Sequence, residues 1–161
     1  MSELAFVSPA EARPDNGFDP RKASPLARAL AGAEGIRDLS LLRKLDVRGP
    51  IAAIDVEADV IPITPVRALV VADEDPGTLQ GERLPGTVVD MTAALAGIEV
   101  EGETLLRRLT DLALDRLPAA GKVADVPALV RRDGDRFQIF FPQEYGDHVV
   151  ATVRDAQDGV R

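Results

Sequence analysis

Residues 35–49 read GIRDLSLLRKLDVRG, and residues 87–102 read TVVDMTAALAGIEVEG. Laid over one another, Asp38, Leu39 and Ser40 match Asp90, Met91 and Thr92. After one inserted residue, Leu45, Asp46, Val47 and Gly49 match Ile98, Glu99, Val100 and Gly102. Each copy ends in the apolar–polar alternation of a strand, closed by a glycine that lets the chain turn sharply. An internal repeat of this kind predicts two related halves within one fold. The paired aspartates stand two residues ahead of a hydroxyl side chain at a strand start. There a short acid hydrogen-bonds the local backbone, so Asp38 and Asp90 read as structural.

Outward from the second copy the signals sharpen. Residues 103–110 place Leu105, Leu106 and Leu109 at helical spacing, with Arg107 and Arg108 on the opposite side. Residues 110–124, with Pro118 and Gly121, read as a loop. Val126 to Arg132 and Arg136 to Phe141 then flank Asp133-Gly134, a pair suited to the positive φ angles of a tight hairpin. Pro142 stops the second of these strands and can open a helix, along which Tyr145, Val149, Val153 and Ala156 form an apolar stripe. The order strand, helix, strand, strand, helix is most of a split β-α-β arrangement. The first half supplies strands near 44–48, 51–56 and 66–72, and Pro62 and Pro65 predict an edge or a break there. The expected class is α+β: a mainly antiparallel sheet with helices on one face, in two weakly repeated β-α-β-like halves.

Residues 1–23, with Pro9, Pro14, Asp15, Asn16, Gly17, Asp19 and Pro20 and no sustained periodicity, read as an extended arm. Phe6 and Phe18 lie in it, and they either fold back onto their own domain or dock elsewhere. Residues 24–157 form a single α+β domain, and 158–161 a short tail. At 161 residues the chain can bury roughly 70% of its unfolded surface, so it needs no metal or disulfide to fold.

Composition narrows the chemistry. A net charge of −8, with Arg107, Arg108, Arg131 and Arg132 in isolated pairs among acids, argues against nucleic acid. There is no cysteine, which excludes disulfides, thiolate metal sites and a thiol nucleophile. No stretch approaches the ~18 apolar residues of a membrane span, and the early run Leu4-Ala5-Phe6-Val7 is too short for a signal peptide, so the chain reads as cytoplasmic. No two glycines are separated by one residue, and Gly121-Lys122 lacks the rest of a phosphate loop.

The single histidine, His148, falls beside the apolar stripe of the last helix. It reads as a half-exposed helix residue rather than a catalytic base. Asp55, Glu57 and Asp59 alternate like a calcium loop, but Val60 stands where Gly must turn the chain and Val66 where a bidentate Glu belongs. These acids read as a solvated strand face. Asp73-Glu74-Asp75-Pro76-Gly77 reads as a turn.

The segments GIRDLSLLRKLDVRGP and VVDMTAALAGIEVEGETLLRRLTDLALDRLP each resemble the opening of the glycine-cleavage aminomethyltransferase (T-protein) folate-domain fold. The longer order is similar to the gamma-subunit family of heterotetrameric sarcosine oxidase. That order runs from Ser24-Pro25-Leu26 through both repeats to PALVRRDGDRFQIFFPQEYGDHV and a closing helix, across residues 24–157. The resemblance implies a non-catalytic structural subunit of a flavoenzyme complex that demethylates sarcosine to glycine, with one-carbon transfer to tetrahydrofolate. It implies larger flavin-binding subunits as partners in a hetero-oligomer. It also implies no cofactor on this chain, with FAD, FMN, NAD, tetrahydrofolate and zinc all held by other subunits. The chain lacks the G-G-x-x-D-D segment of the aminomethyltransferases and the K-G-C-Y motif of the iron–sulfur-repair relatives. Residues 50–86 are short for the gamma family. No catalytic, cofactor-binding or metal position carries over. A free-standing folate-binding or aminomethyl-transfer protein, or a stand-alone interaction domain, are the alternatives.

Overall fold

Alternation in one central strand sets the layering. In β6 (Leu95–Glu101), Ala96, Ile98 and Val100 point to one face, and Leu95, Gly97 and Glu99 to the other. The strand pairs with β1 (Ile36–Asp38) on one side and β9 (Arg136–Pro142) on the other. β8 (Val126–Asp133) and β7 (Ala119–Val123) complete a five-stranded sheet of order β1-β6-β9-β8-β7. A second sheet, of order β3-β4-β2-β5, holds β2 (Arg43–Arg48), β3 (Asp59–Thr64), β4 (Arg67–Ala72) and β5 (Thr87–Asp90). Every pairing is antiparallel. This computed structural model describes residues 23–56, 58–72 and 84–159.

Two helices, α1 (Glu103–Leu109) and α2 (Gly146–Asp158), cover one face of the five-stranded sheet. Leu105, Leu106, Leu109, Val149, Val150 and Val153 meet Ile98, Val100, Val130, Phe137 and Ile139 in the main core. The other face packs on the second sheet through Leu39, Ile61, Leu69, Val71 and Phe140. A third cluster, Leu45, Val47, Val70 and Leu84, lies on the far side of the second sheet beneath Ile54 and Val56. The expected α+β class, with helices on one face, is what the chain adopts. β6 and β8 run parallel, each antiparallel to β9 between them, and are connected through α1, which is the expected split β-α-β order; the connection adds β7 as an antiparallel edge strand beside β8.

Several local expectations hold for the reasons given. β3 is an edge strand, and its register shifts between Pro62 and Thr64, where proline cannot donate to a ladder. α1 buries its three leucines and leaves Arg107 and Arg108 exposed. Leu26 is fully buried against Gly146, where a Cβ would lie 2.5 Å from the leucine methyl.

Others shift. Residues 51–56 are not a strand: Ile51–Ala53 form a 3-10 turn after Pro50, and the strand begins at Asp59. The apolar side chains Ile54 and Val56 serve as a lid on the third cluster instead of a ladder. The expected loop at 110–124 contains a 3-10 turn, Leu114–Arg116, and β7. Ala119-Ala120-Gly121-Lys122 has little β propensity. It is held by pairing with β8 and by Leu112, whose methyl fills the space of a Cβ on Gly121. The hairpin turn sits one residue later than expected: Asp133 pairs with Arg136, and Gly134 at φ 61° leads the two-residue loop. Tyr145 leaves the apolar stripe, 43% exposed in the turn Gln143–Tyr145, and Val150 is buried in its stead. The arm residues Phe6 and Phe18, together with Glu57 and Asp73 to Gly77, lie outside the described residues.

Two substitutions test this packing. Leu105→Ala should lower the unfolding free energy in urea by roughly 2–5 kcal/mol, the usual cost of a leucine-sized cavity. In Gly97→Ala the new Cβ would meet the Phe140 ring at 2.8 Å. Overpacking there should cost about 1–3 kcal/mol, and a midpoint equal to wild type would show that the Phe140 ring is not packed tightly over Gly97.

Candidate functional site

The two repeats meet where the chain changes sheets. β1 leaves the five-stranded sheet and leads into β2 of the other, while β5 and β6 make the reverse passage. At each corner the aspartate fixes the turn: Ser40 N donates to Asp38 Oδ1 at 2.8 Å, and Thr92 N to Asp90 Oδ1 at 2.9 Å. The hydroxyls then reach across. Gly97 N donates to Ser40 Oγ at 3.2 Å, and Lys44 N to Thr92 Oγ1 at 3.1 Å. Main-chain bonds follow the same rule, Leu39 N to Gly97 O and Met91 N to Lys44 O, both at 2.8 Å. Each repeat thus caps its counterpart at matching positions. Asp38 and Asp90 are the backbone-binding acids the spacing predicted. The hydrogen bonds and charges of Thr92, Arg43 and Lys44 outweigh burial and hold the Asp90 carboxyl below its usual range.

Symmetry breaks at the side chains. Where one repeat has Gly97 under the Phe140 ring, the other has Lys44, fully buried. Its Nζ donates to the carbonyls of Ser40 (2.6 Å) and Leu42 (2.8 Å). Burial pulls this amine down to about 8, against the opposing pull of Asp38 and Asp90. Sequence alternation puts Lys44 on a polar strand face, and only the second sheet turns that face inward.

Other charges also line the space between the sheets. Asp46, buried, accepts from Arg67 Nε at 2.8 Å and Arg48 Nε at 2.9 Å. Burial pushes its carboxyl up, but the two guanidiniums together hold it below the usual range. A cross-strand row runs from Arg37 to Glu99 (3.6 Å), then through Gln138 Nε2 to Glu99 Oε2 (3.1 Å) and Arg131 to Gln138 Oε1 (3.1 Å). Arg131 ends the row in an ion pair with Asp59 of the second sheet. The expected solvated acid face is therefore corrected: Asp59 bridges two sheets, and Asp55 lies outside any strand.

His148 is exposed on α2, and its Nε2 lies 2.9 Å from the Ala124 carbonyl. Because a carbonyl only accepts, that nitrogen carries the proton. The side chain borders a cleft of about 540 Å³ between α1, the β7–β8 turn and α2. Among the described residues no three of the His, Asp and Glu side chains converge as a metal would require, and no helix is long and apolar enough to cross a membrane.

No protein-family model matches the sequence, and no curated protein matches it. Among solved structures the chain is similar to one chain of the heterotetrameric sarcosine oxidase from Corynebacterium sp. U-96, solved in complex with pyrrole 2-carboxylate. The TM-score is 0.70 at 21% identity, over 86% of this chain and 95% of that one. An aspartokinase of alpha and beta subunits gives a TM-score of 0.47 at 12% identity, over 77% of this chain and 97% of that one. The first likeness is one of fold, nearly end to end, and it agrees with the resemblance carried by the two repeats.

The lysine and the hydroxyl bridges each generate a test. A folded-state value near 8 against an ordinary 10.5 means that the unfolded chain binds the extra proton between those limits. Stability owed to Lys44 should therefore rise with pH across about 8 to 10.5 and level off at its minimum below 8, where both states carry the proton. Chemical denaturation of wild type and Lys44→Met should show a difference that grows over that window, and parallel curves would refute it. Ser40→Ala leaves the Gly97 N–H without its hydroxyl partner in a buried setting and should cost about 1–3 kcal/mol, read from the same denaturation curves.

Proposed function

We propose that this chain is a non-catalytic structural subunit of a sarcosine oxidase-type flavoenzyme complex. The observation that carries the reading is the shared fold with a chain of a heterotetrameric sarcosine oxidase, which this chain matches over 95% of that chain's length. The chemistry of the residues supports it. The acids in repeat register bind backbone, the buried amine binds carbonyls, and the only imidazole donates to a main-chain oxygen. With no cysteine in the sequence and no dinucleotide or phosphate loop, the side chains that fold the domain are also those that would otherwise be candidates for chemistry. In this reading the partners are larger flavin-binding subunits that oxidatively demethylate sarcosine to glycine. The flavins, nicotinamide nucleotide, tetrahydrofolate and zinc sit on those other chains, and the assembly is cytoplasmic.

The decisive experiment is affinity purification of the tagged full chain from its native host. Larger polypeptides should elute with it, carrying flavin absorbance and sarcosine-dependent oxidase activity. A colourless chain eluting alone, or one that turns over a methylated amine unaided, would remove the reading. Within the purified complex, His148→Ala should leave the turnover rate within a few fold. A general acid or base supplies ~10²–10⁴-fold, so a loss of that size with the subunits still assembled would make His148 a participant in the reaction.

A further inference from the structure

The cleft between α1, the β7–β8 turn and α2 plays no part in the sheet-to-sheet passage, yet its wall is held with unusual care. The two turn residues, Ala124 and Asp125, adopt φ 50° and 62°. Left-handed pairs at such a turn ordinarily fall to Asn-Gly, and alanine has no side-chain polar group to ease that conformation. Two hydrogen bonds hold it: Ala124 N donates to Leu109 O at 2.8 Å, and the Ala124 carbonyl accepts from His148 Nε2 at 2.9 Å. The C-terminal end of α1, the turn and the first part of α2 are thereby fixed as one surface. A further bond from Thr110 Oγ1 to the Lys122 carbonyl, at 2.5 Å, ties the following loop to β7. A non-glycine residue kept in the left-handed region by surrounding structure is a mark of functional sites.

This rigid wall displays charges that do not neutralise one another. Arg108 and Lys122 line the cleft, and so do Asp111 and Asp125. Among the described residues none of the four forms an ion pair or side-chain hydrogen bond. Arg107, also in the lining, is committed to Glu103. Two cations and two carboxylates thus face one space of about 540 Å³, within the roughly 300–1,000 Å³ range of small-molecule sites. A plain anion would be drawn by Arg108 and Lys122 and repelled by the two carboxylates, and a plain cation would meet the reverse. A ligand bearing both charges satisfies all four, and its selection against singly charged molecules follows from the repulsive pair.

We propose that this cleft binds a free amino acid as its zwitterion, the carboxylate toward Arg108 and Lys122 and the ammonium toward Asp111 and Asp125. The site belongs to this chain alone and does not depend on the subunit reading. All four charged side chains are exposed, so replacing them leaves the core intact.

Isothermal titration calorimetry on the full chain, with glycine, sarcosine, leucine, acetate and methylamine as separate probes, tests the site. Saturable heat is expected for at least one of the three amino acids and for neither acetate nor methylamine. The double variants Arg108→Met with Lys122→Met, and Asp111→Asn with Asp125→Asn, should each weaken the amino acid by at least about tenfold, or 1.4 kcal/mol. Arg136→Met, outside the cleft lining, should bind as wild type, and circular dichroism should show all variants folded. Acetate binding as well as an amino acid, undiminished binding by the charge variants, or no heat from any probe would each overturn the proposal. Failure of the chain to copurify with a flavoprotein would leave this titration unaffected, so the two readings fall separately.

Discussion

Two hydroxyl groups fix the corners where the chain passes between the two sheets. Ser40 Oγ takes the N–H of Gly97, and Thr92 Oγ1 takes that of Lys44. Each bond runs from one repeat into the other at the point where the chain crosses between sheets. A crossing strand leaves a ladder before it joins the next, and its main-chain donors need partners in the interval. Serine and threonine supply them at short reach, and the aspartate two residues earlier fixes the turn that aims the hydroxyl. The three apolar clusters form on either side of that crossing: one under the helices, one between the sheets, and one beyond the second sheet.

The space between the sheets is not uniformly apolar, and its charges are handled differently by depth. Lys44, without exposure, is drawn toward the neutral form and spends its donors on carbonyls. Asp46 stays charged between two guanidiniums. Glu99, Gln138 and Arg131 form a row in strict cross-strand register and reach the second sheet through Asp59. Partly exposed ion pairs of this kind add little net stability, because solvent screens their attraction. Their partners are nevertheless fixed in direction. A sheet that slipped by one residue would carry the whole row to the helix face and bring Phe137 and Ile139 against the second sheet. Specification of register is the role these charges fit.

A fold alone does not name an activity. Here it is joined to a set of residues whose polar groups are turned on the protein's own backbone. The cleft beside His148 stands apart from this economy, since four of its charged groups lack partners among the described residues.

Much of this was legible in residue order. The repeat located both sheet crossings, the leucine spacing located α1, and proline marked the edge strand. The aspartates were recognisable because a short acid two residues before a hydroxyl side chain acts locally, within a few bonds of its own backbone. β7 was not legible: Ala-Ala-Gly-Lys has no strand pattern, and its structure comes from a neighbour's edge and from Leu112. Nor were the inward lysine, the Arg131–Asp59 bridge, or the turn strained against His148. Each joins residues distant in the chain, and period-two alternation says which side chains share a face without saying whether water or a second sheet lies opposite. Local chemistry was written in the sequence; what each polar face would meet was settled only when the two sheets closed on one another.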